Sequence, residues 1–363
     1  MAETTPEMRE TPTIDVVIAV HDASRPVTRA IASVLHDGVD GVRVIVVCHG
    51  VSADAFDRTA FADEAVDWRE YSDGIRSPAG PFDHGLSVAT ADYVAIMGSD
   101  DFLEHGAVAA ASARLGADAP DALVLPLRHQ SGEAVRTPLA RRGRVRRLDP
   151  VRDRLAYRTA PLALLRRRLI DELELSLTPG LASGEDIDFS SRLWFSGARV
   201  DFHPADPAYV IGADAATRVT AAPMPAATEL EAVRMLLASE WIRGLTVPKA
   251  RSLVIKLIRI HILGPILRRA ESDELSPSDV EAYSEVARAA VALAPGAVRP
   301  FARVDRDLVD VLASGSASAA AVLDIARVRP AAGRFARLVP RNIFATLDRE
   351  GAVRRFLRYR TWP

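Results

Sequence analysis

Apolar positions along the chain change their period at regular intervals. Residues 14–20 are almost continuously apolar and β-branched, as in a strand buried on both faces of a parallel sheet. After Pro26, which suits a helix start, Val27, Ile31, Val34 and Leu35 recur at helical spacing. The alternation continues: strands are expected at 42–48, 66–71, 93–97, 122–127, 161–165, 200–203 and 209–211. Between them, helices are expected at 53–62, 82–89, 104–115 (beginning as early as Phe102), from Asp149, and from the Glu185 region onward. Strands alternating with helices at this rhythm predict βαβ units, a mainly parallel sheet and an α/β fold. Beyond a Pro/Ala stretch the β-branched runs cease, and helices are expected at 229–245, 249–270, 278–294, 303–312 and 318–326, punctuated by prolines. The chain thus divides into a loose, disordered N-terminus (1–12), an α/β domain (13–220), a linker (221–228) and an α-helical C-terminal region (229–363).

Composition changes this picture only at a few points. At 363 residues the chain exceeds what one hydrophobic core usually serves, in keeping with a domain plus a helical extension. A formal net charge of −2 gives no reason to expect a nucleic-acid partner. The lone cysteine, Cys48, excludes an intramolecular disulfide and fits a reducing compartment. Residues 1–12 hold no apolar leader, and the longest apolar stretch, 253–267, is interrupted by Lys256, Arg259 and His261. A cytoplasmic location, at most on the inner face of the cell membrane, is expected. Basic residues interrupt 253–263 on more than one face, which favours a core or oligomer contact through the C-terminal helices over a peripheral membrane contact.

The chemistry concentrates at two acidic pairs. Ser99-Asp100-Asp101 follows the strand expected at 93–97, where open α/β sheets bind ligands. Adjacent carboxylates repel unless a cation intervenes, and a divalent metal on oxygen ligands usually arrives with a nucleoside diphosphate. The competing reading is a helix cap followed by a first-turn acid. Glu185-Asp186 opens a later helix, and its competing reading is ordinary N-terminal helix charge. No G-x-G-x-x-G follows any strand, which argues against dinucleotide binding.

Four motifs in order then resemble the family-2 glycosyltransferases of the GT-A fold, over about residues 13 to 220. Ile18-Ala19-Val20-His21-Asp22 corresponds to that family's opening I-P-x-Y-N, and Ala30 to Leu35 to its A-I-x-S-V-L. Asp83 to Val94 follows its N-x-G-L-x-x-A-x-G-x-Y-V pattern, Gly98-Ser99-Asp100-Asp101 its D-x-D-D metal motif, and Gly184 to Phe189 its G-E-D-x-D-F acceptor motif. The resemblance implies a GT-A sheet flanked by helices and a metal-dependent, inverting transfer of sugar from a nucleoside-diphosphate donor to a glycan or lipid-linked acceptor at the cell surface. It implies Mg2+ or Mn2+ on Asp100, with Asp101 as second ligand or water-holder. His21, Asp22, Cys48, His49, Arg76, Asp83, Ser99 and Asp100 would line the donor site. Asp186 would be the general base, Glu185 would orient it or touch the acceptor, and Arg192 would lie on the acceptor side. The basic cluster 141–147 lies where the family often has an acceptor-side loop and suits a phosphate-bearing acceptor.

The sequence departs from that pattern in the donor half. Cys48-His49 replaces the usual acidic pair after the second strand, so uridine is not implied, and Gly98 replaces the first acid of the metal motif. His203 and Asp214 are candidates for a completing metal ligand. These departures lend weight to a catalytically silent homologue acting as an assembly subunit. A sugar-phosphate nucleotidyltransferase ranks lower, because residues 21–26 lack the Gly and Lys its phosphate loop needs.

Overall fold

The computed structural model describes residues 11–214, 224–272 and 274–362. The expected loose N-terminus up to residue 10 and linker residues 221–223 lie outside the described residues.

The first half runs β1 (Ile14–Val20), α1 (Val27–Leu35), β2 (Val42–His49), β3 (Val66–Tyr71), α2 (Ala79–Val88), β4 (Tyr93–Gly98), β5 (Phe102–Leu103), α3 (Ala107–Asp118), β6 (Ala122–Val124), β7 (Leu127–His129), β8 (Ala134–Val135), β9 (Ala163–Arg166), α4 (Arg167–Glu172), α5 (Asp186–Phe195), β10 (Val200–Phe202) and β11 (Tyr209–Ile211). Seven strands form one sheet in the order β10-β6-β9-β4-β1-β2-β3, and β9 alone in it runs antiparallel. A smaller sheet, β5-β11-β7-β8, stands beside it.

The apolar runs become strands because both faces of the large sheet are covered. Val16, Ile18 and Val20 of β1 pack with Ile31 of α1, while Val17 faces the opposite layer with Ile45, Val47 and Leu86. Gly85 makes this second layer close: a Cβ there would stand 2.2 Å from Val17 Cγ1, so α2 lies directly on β1. The acid within β1 is satisfied. Asp15, 2% exposed, accepts from Arg43 at 2.9 and 2.8 Å and from the Thr90 and Ala91 amides. Burial alone would raise its pKa, but these partners outweigh that and hold it below the usual value.

Several expected elements differ, each for a local reason. Residues 53–62 make only two short turns, each opened by a side chain, Ser52 or Asp57, that accepts from the backbone two residues on. Phe102–Leu103 pairs with β11 instead of opening a helix. Helix α3 begins after Gly106 (φ +83°), and its first amides are capped by the distant Asp37. The stretch 122–127 divides, so that β6 and β7 serve different sheets. The helix expected from Asp149 reduces to a turn at Leu155–Tyr157, because Asp153 takes the Asp149 and Arg141 amides.

The second half is helical: α6 (Ala226–Glu229), α7 (Glu231–Ala238), α8 (Glu240–Arg243), α9 (Val247–Leu257), a π-helical turn (Ile258–Leu263), α10 (Gly264–Ser272), α11 (Pro277–Leu293), α12 (Arg303–Ala313), α13 (Ala319–Ala331), α14 (Arg334–Leu338) and α15 (Ala352–Arg360). The segment 253–263 lies in the core: Leu253, Val254, Ile255, Leu257, Ile258 and Ile262 have no exposed surface. Their cluster includes Ile187 and Phe195 of α5, so the helical region and the sheet domain share apolar contacts. A buried ionic knot adds to the join. Glu350, 4% exposed, accepts from Arg154 at 2.9 Å, Arg259 at 2.8 Å, and Tyr157 and Arg355 at 3.1 Å.

Candidate active site

The loops after β1, β2, β3 and β4 open on one edge of the large sheet. Helix α5 precedes the parallel strand β10, so it runs against the strands and its first residue, Asp186, lies at that same edge. The fold therefore brings both acidic pairs to one side of the sheet, although they are far apart in sequence.

The two carboxylates after β4 have unlike surroundings. Asp100 Oδ1 lies 2.9 Å from Arg25 Nη1, whereas its Oδ2 has no partner among the described residues. Arg29 donates to the Asp100 carbonyl oxygen at 2.6 Å and also to the Asp214 carboxylate, placing Asp214 in the Asp100 neighbourhood. Asp101 is fully engaged: Oδ1 accepts from the Gly212 amide at 2.8 Å, and Oδ2 accepts from the Tyr209 hydroxyl at 2.5 Å. It ties β4 to β11, a structural engagement that its expected role as second metal ligand or water-holder did not include. Ser99, beside them, is buried.

Gly98 also has a different meaning from the missing contact that the motif implied. A Cβ at this position would stand 2.6 Å from Asp101 Oδ2 and 3.3 Å from Asp100 Oδ1. An acid there has no room while Asp101 is held by β11.

On the donor side, Asp22 shapes the turn after β1 by accepting from the Ser24 amide at 2.8 Å. Burial and the nearby Arg25 depress the His21 pKa, so its ring is neutral. His49 Nε2 lies 2.8 Å from Asp73 Oδ1, which also takes the Ile75 amide and so pins the loop that carries the exposed Arg76. Cys48 turns the other way. It is wholly buried among core residues, and burial pushes its thiol up to about 11, so it presents nothing to a donor. Asp83 accepts from the Leu177 amide at 2.9 Å, and burial raises it to about 6. The neighbouring Thr178 amide donates to the Glu185 carbonyl at 2.9 Å, so α2 is coupled to the second acidic pair.

That second pair opens α5. Gly184 has φ +81°, and a Cβ would meet Ile187 at 2.9 Å and Ala232 of α7 at 3.0 Å; only glycine fits. Burial raises Glu185 to about 7, with the charge of Asp186 adding to the effect. Burial likewise raises Asp186, and the cation opposing it is Lys256 of α9. Lys256 is 1% exposed, its Nζ lies 2.9 Å from His261 Nε2, and burial lowers it to about 8. Burial and Lys256 together keep His261 neutral. The π-helical turn widens the helix so that residues five apart, Lys256 and His261, meet. Arg192, expected on the acceptor side, is occupied by Asp188 at 2.7 Å and lies over the Trp241 ring, whose Nε1 donates to Asp188 at 2.9 Å.

Sequence reasoning missed Arg25, Asp73 and Lys256. Arg25 and Asp73 sit in loops at strand ends, a positional signal that was available. Lys256 gave one signal of its own, a lone lysine inside an apolar run.

A hard, oxygen-binding ion fits beside Asp100, whose Oδ2 has no partner among the described residues, better than beside Asp101, whose oxygens each already accept a hydrogen bond. Among the described residues, one further cluster has metal-ligand chemistry: atoms of Asp118, Asp201 and His203 lie within 4.8 Å of one another. Arg146 stands 2.9 Å from Asp118 and Arg199 3.3 Å from Asp201, so its charge is already balanced. It sits at the β10 edge, three strands or roughly 14 Å from β4. The arginine loop 141–147 folds onto this same edge through Arg141–Asp153 and Arg146–Asp118 pairs.

An open, mainly parallel α/β sheet binds its ligands beyond the carboxyl ends of its strands, where carboxylates and cations gather in this chain. Residues 15–174 match the family described as glycosyl transferase family 2, so this segment of the chain is similar to a glycosyltransferase domain of that family. No curated protein matches the chain. Among solved structures, S. aureus TarS residues 1–349 in complex with UDP-GlcNAc has a TM-score of 0.68 at 15% identity, covering 87% of this chain and 90% of that one. The same TarS segment in complex with UDP has a TM-score of 0.66 at 16% identity, covering 87% and 89%. The longer S. aureus TarS chain has a TM-score of 0.67 at 14% identity, covering 87% of this chain and 55% of that one. At these identities the likeness shows the fold: a GT-A-like sheet flanked by helices, with a helical C-terminal region.

Proposed function

We propose that this chain is an inverting, metal-dependent glycosyltransferase that moves a sugar from a nucleoside diphosphate to a hydroxyl of a cell-surface glycan or lipid-linked acceptor. The observation that carries the proposal is that the fold brings Asp100 and a half-buried Asp186 at a helix start to the same edge of the sheet. On this reading residues 13–220 form the catalytic domain, and the helical region after it contributes Lys256. His21, Asp22, His49, Arg76 and Ser99 line the donor side, with UDP-GlcNAc as the first donor to test because TarS binds it.

Asp186 takes the proton from the acceptor hydroxyl as oxygen attacks the anomeric carbon and the diphosphate leaves. Its place in the first turn of α5 and the charge of Lys256 both favour the ionised form that a base requires. Glu185, poised near neutrality, shares the site's proton and orients Asp186. Asp100 would hold Mg2+ or Mn2+ together with diphosphate oxygens, a coordination in which one carboxylate suffices. When bound, the ion offsets negative charge on the leaving diphosphate.

A thermal-shift screen with UDP-GlcNAc, UDP and GDP-sugars, with and without Mg2+ or Mn2+, tests the donor. Ligand at about 100 times its Kd should stabilise the fold by about 2.7 kcal/mol, a rise of several degrees. Asp100→Asn should lose the metal-dependent part of that rise. No stabilisation by any nucleotide with either metal would favour the silent assembly subunit.

A further inference from the structure

We infer that the C-terminal segment 334–360 is a docking surface for anionic lipid bilayer. Among the described residues, eight of the thirteen exposed large apolar side chains fall between residues 335 and 359, including Phe344 at 80%, Leu347 at 75% and Ile343 at 60% exposure. They come from α14, the turn Ile343–Leu347 and α15, and both α14 and that turn pack on α15. Exposed apolar residues gathered in this way mark an interaction surface, whereas scattered ones need no explanation.

Charge selects the occupant. The segment carries eight arginines and only two acids, Asp348 and Glu350. Both acids are turned to partners: Asp348 lies 2.8 Å from Arg251, and Glu350 is in the buried knot with Arg154 and Arg259. Arg334, Arg337, Arg354 and Arg360 are exposed among the apolar side chains. Aromatic and aliphatic groups interleaved with arginine suit the interface of an anionic membrane, with ring and chain in the acyl boundary and guanidinium at the phosphates. A second copy of this face would set like charge against like charge, which disfavours a symmetric dimer here. No described helix is long and apolar enough to cross a membrane, so this contact is peripheral.

The surface is anchored to the catalytic domain rather than flexibly attached. Arg136 donates to the Tyr359 carbonyl at 2.9 Å, Arg358 donates to the Ala140 carbonyl, and Trp362 Nε1 donates to the Pro138 carbonyl at 3.2 Å. Docking would therefore fix the orientation of the catalytic domain on the membrane. The inference stands independently of the transfer chemistry, since it concerns binding alone.

Vesicle co-sedimentation of the full chain tests it, with phosphatidylcholine vesicles against vesicles containing phosphatidylglycerol. Binding to the anionic vesicles only, weakened by 0.5 M salt, is expected. Arg334→Gln/Arg337→Gln/Arg360→Gln should lower the partition coefficient about 100-fold, at about fivefold per arginine. Phe344→Ser/Leu347→Ser alters side chains that are mostly exposed, so its melting temperature should be unchanged while anionic-vesicle binding is lost. Absence of vesicle binding, or equal binding to neutral vesicles, overturns the inference. So does a dimer, seen by sedimentation velocity, that the double serine variant disperses.

Discussion

Lys256→Met is the most informative single change. Lys256 is fully buried, its amine faces only His261 and the field of Asp186, and methionine preserves the length of the stem. Burial raises the Asp186 pKa, and Lys256 counters that rise. A nearby opposite charge is worth roughly 1–3 pKa units, and the lower end applies because the amine is shared with His261. One unit corresponds to about 1.36 kcal/mol, or a tenfold loss of ionised base below the pKa. The assay is nucleotide release from donor with acceptor present, followed from pH 5 to 9. A base must be ionised, so the rate climbs with pH through its pKa. The variant's rising limb should lie about one unit higher than the wild type's, with the rate down about tenfold below both limbs and equal above them. Its KM for donor should be unchanged. Some stability should be lost at pH 7, because Asp186 is left half-buried without its opposing cation. A uniform loss at every pH would refute the reasoning, since it would mark Lys256 as merely structural.

Three further outcomes follow from the structure. Gly98→Ala should destabilise by about 1–3 kcal/mol in denaturant titration, because its Cβ meets Asp101 2.6 Å away; unchanged stability would restore the missing-contact reading. Glu350→Ala should cost about 3–5 kcal/mol at pH 7 by leaving Arg154 and Arg259 buried without their carboxylate. The Glu350 pKa is held below its ordinary 4.5, burial being outweighed by the arginines around it. Its contribution is therefore present above pH 4.5 and lost as pH falls through the depressed value, so the difference from Glu350→Ala should shrink in acid. Glu185 is the opposite case: a folded value of about 7 means that stability is lost as pH rises from 4.5 through 7. Glu185→Gln should raise stability at pH 8 by about 1–2 kcal/mol after allowance for solvent screening, with no gain at pH 5.

The sheet was readable in the sequence because its strands are buried on both faces. Ile14–Val20 begins and ends where its apolar run does, and Val42–His49 holds five consecutive buried residues. The failures occurred where distant partners override local preference. Phe102–Leu103 has a helix-like context but is drawn into pairing by β11, over a hundred residues away. Leu253 to Leu263 gave a helical period without showing which faces were covered, because its neighbours in α7 and α11 come from other stretches. In the site, the acidic pairs were legible as motifs, but their roles were not. Asp100 and Asp101 differ only through Arg25, Tyr209 and Gly212, and Asp186 owes its cation to a helix seventy residues on. Cys48 occupies a motif position, yet the strand's alternation turns it inward.

The central claim is that Asp186 is the base of a site whose donor half lies elsewhere on the same sheet edge. Donor affinity by calorimetry and single-turnover nucleotide release, both on Asp186→Asn, test it most directly. The account predicts an unchanged donor Kd and a loss of turnover of about 10²–10⁴-fold, the usual worth of a general base. Turnover within a few fold of wild type, or an equal loss of donor binding, would contradict it.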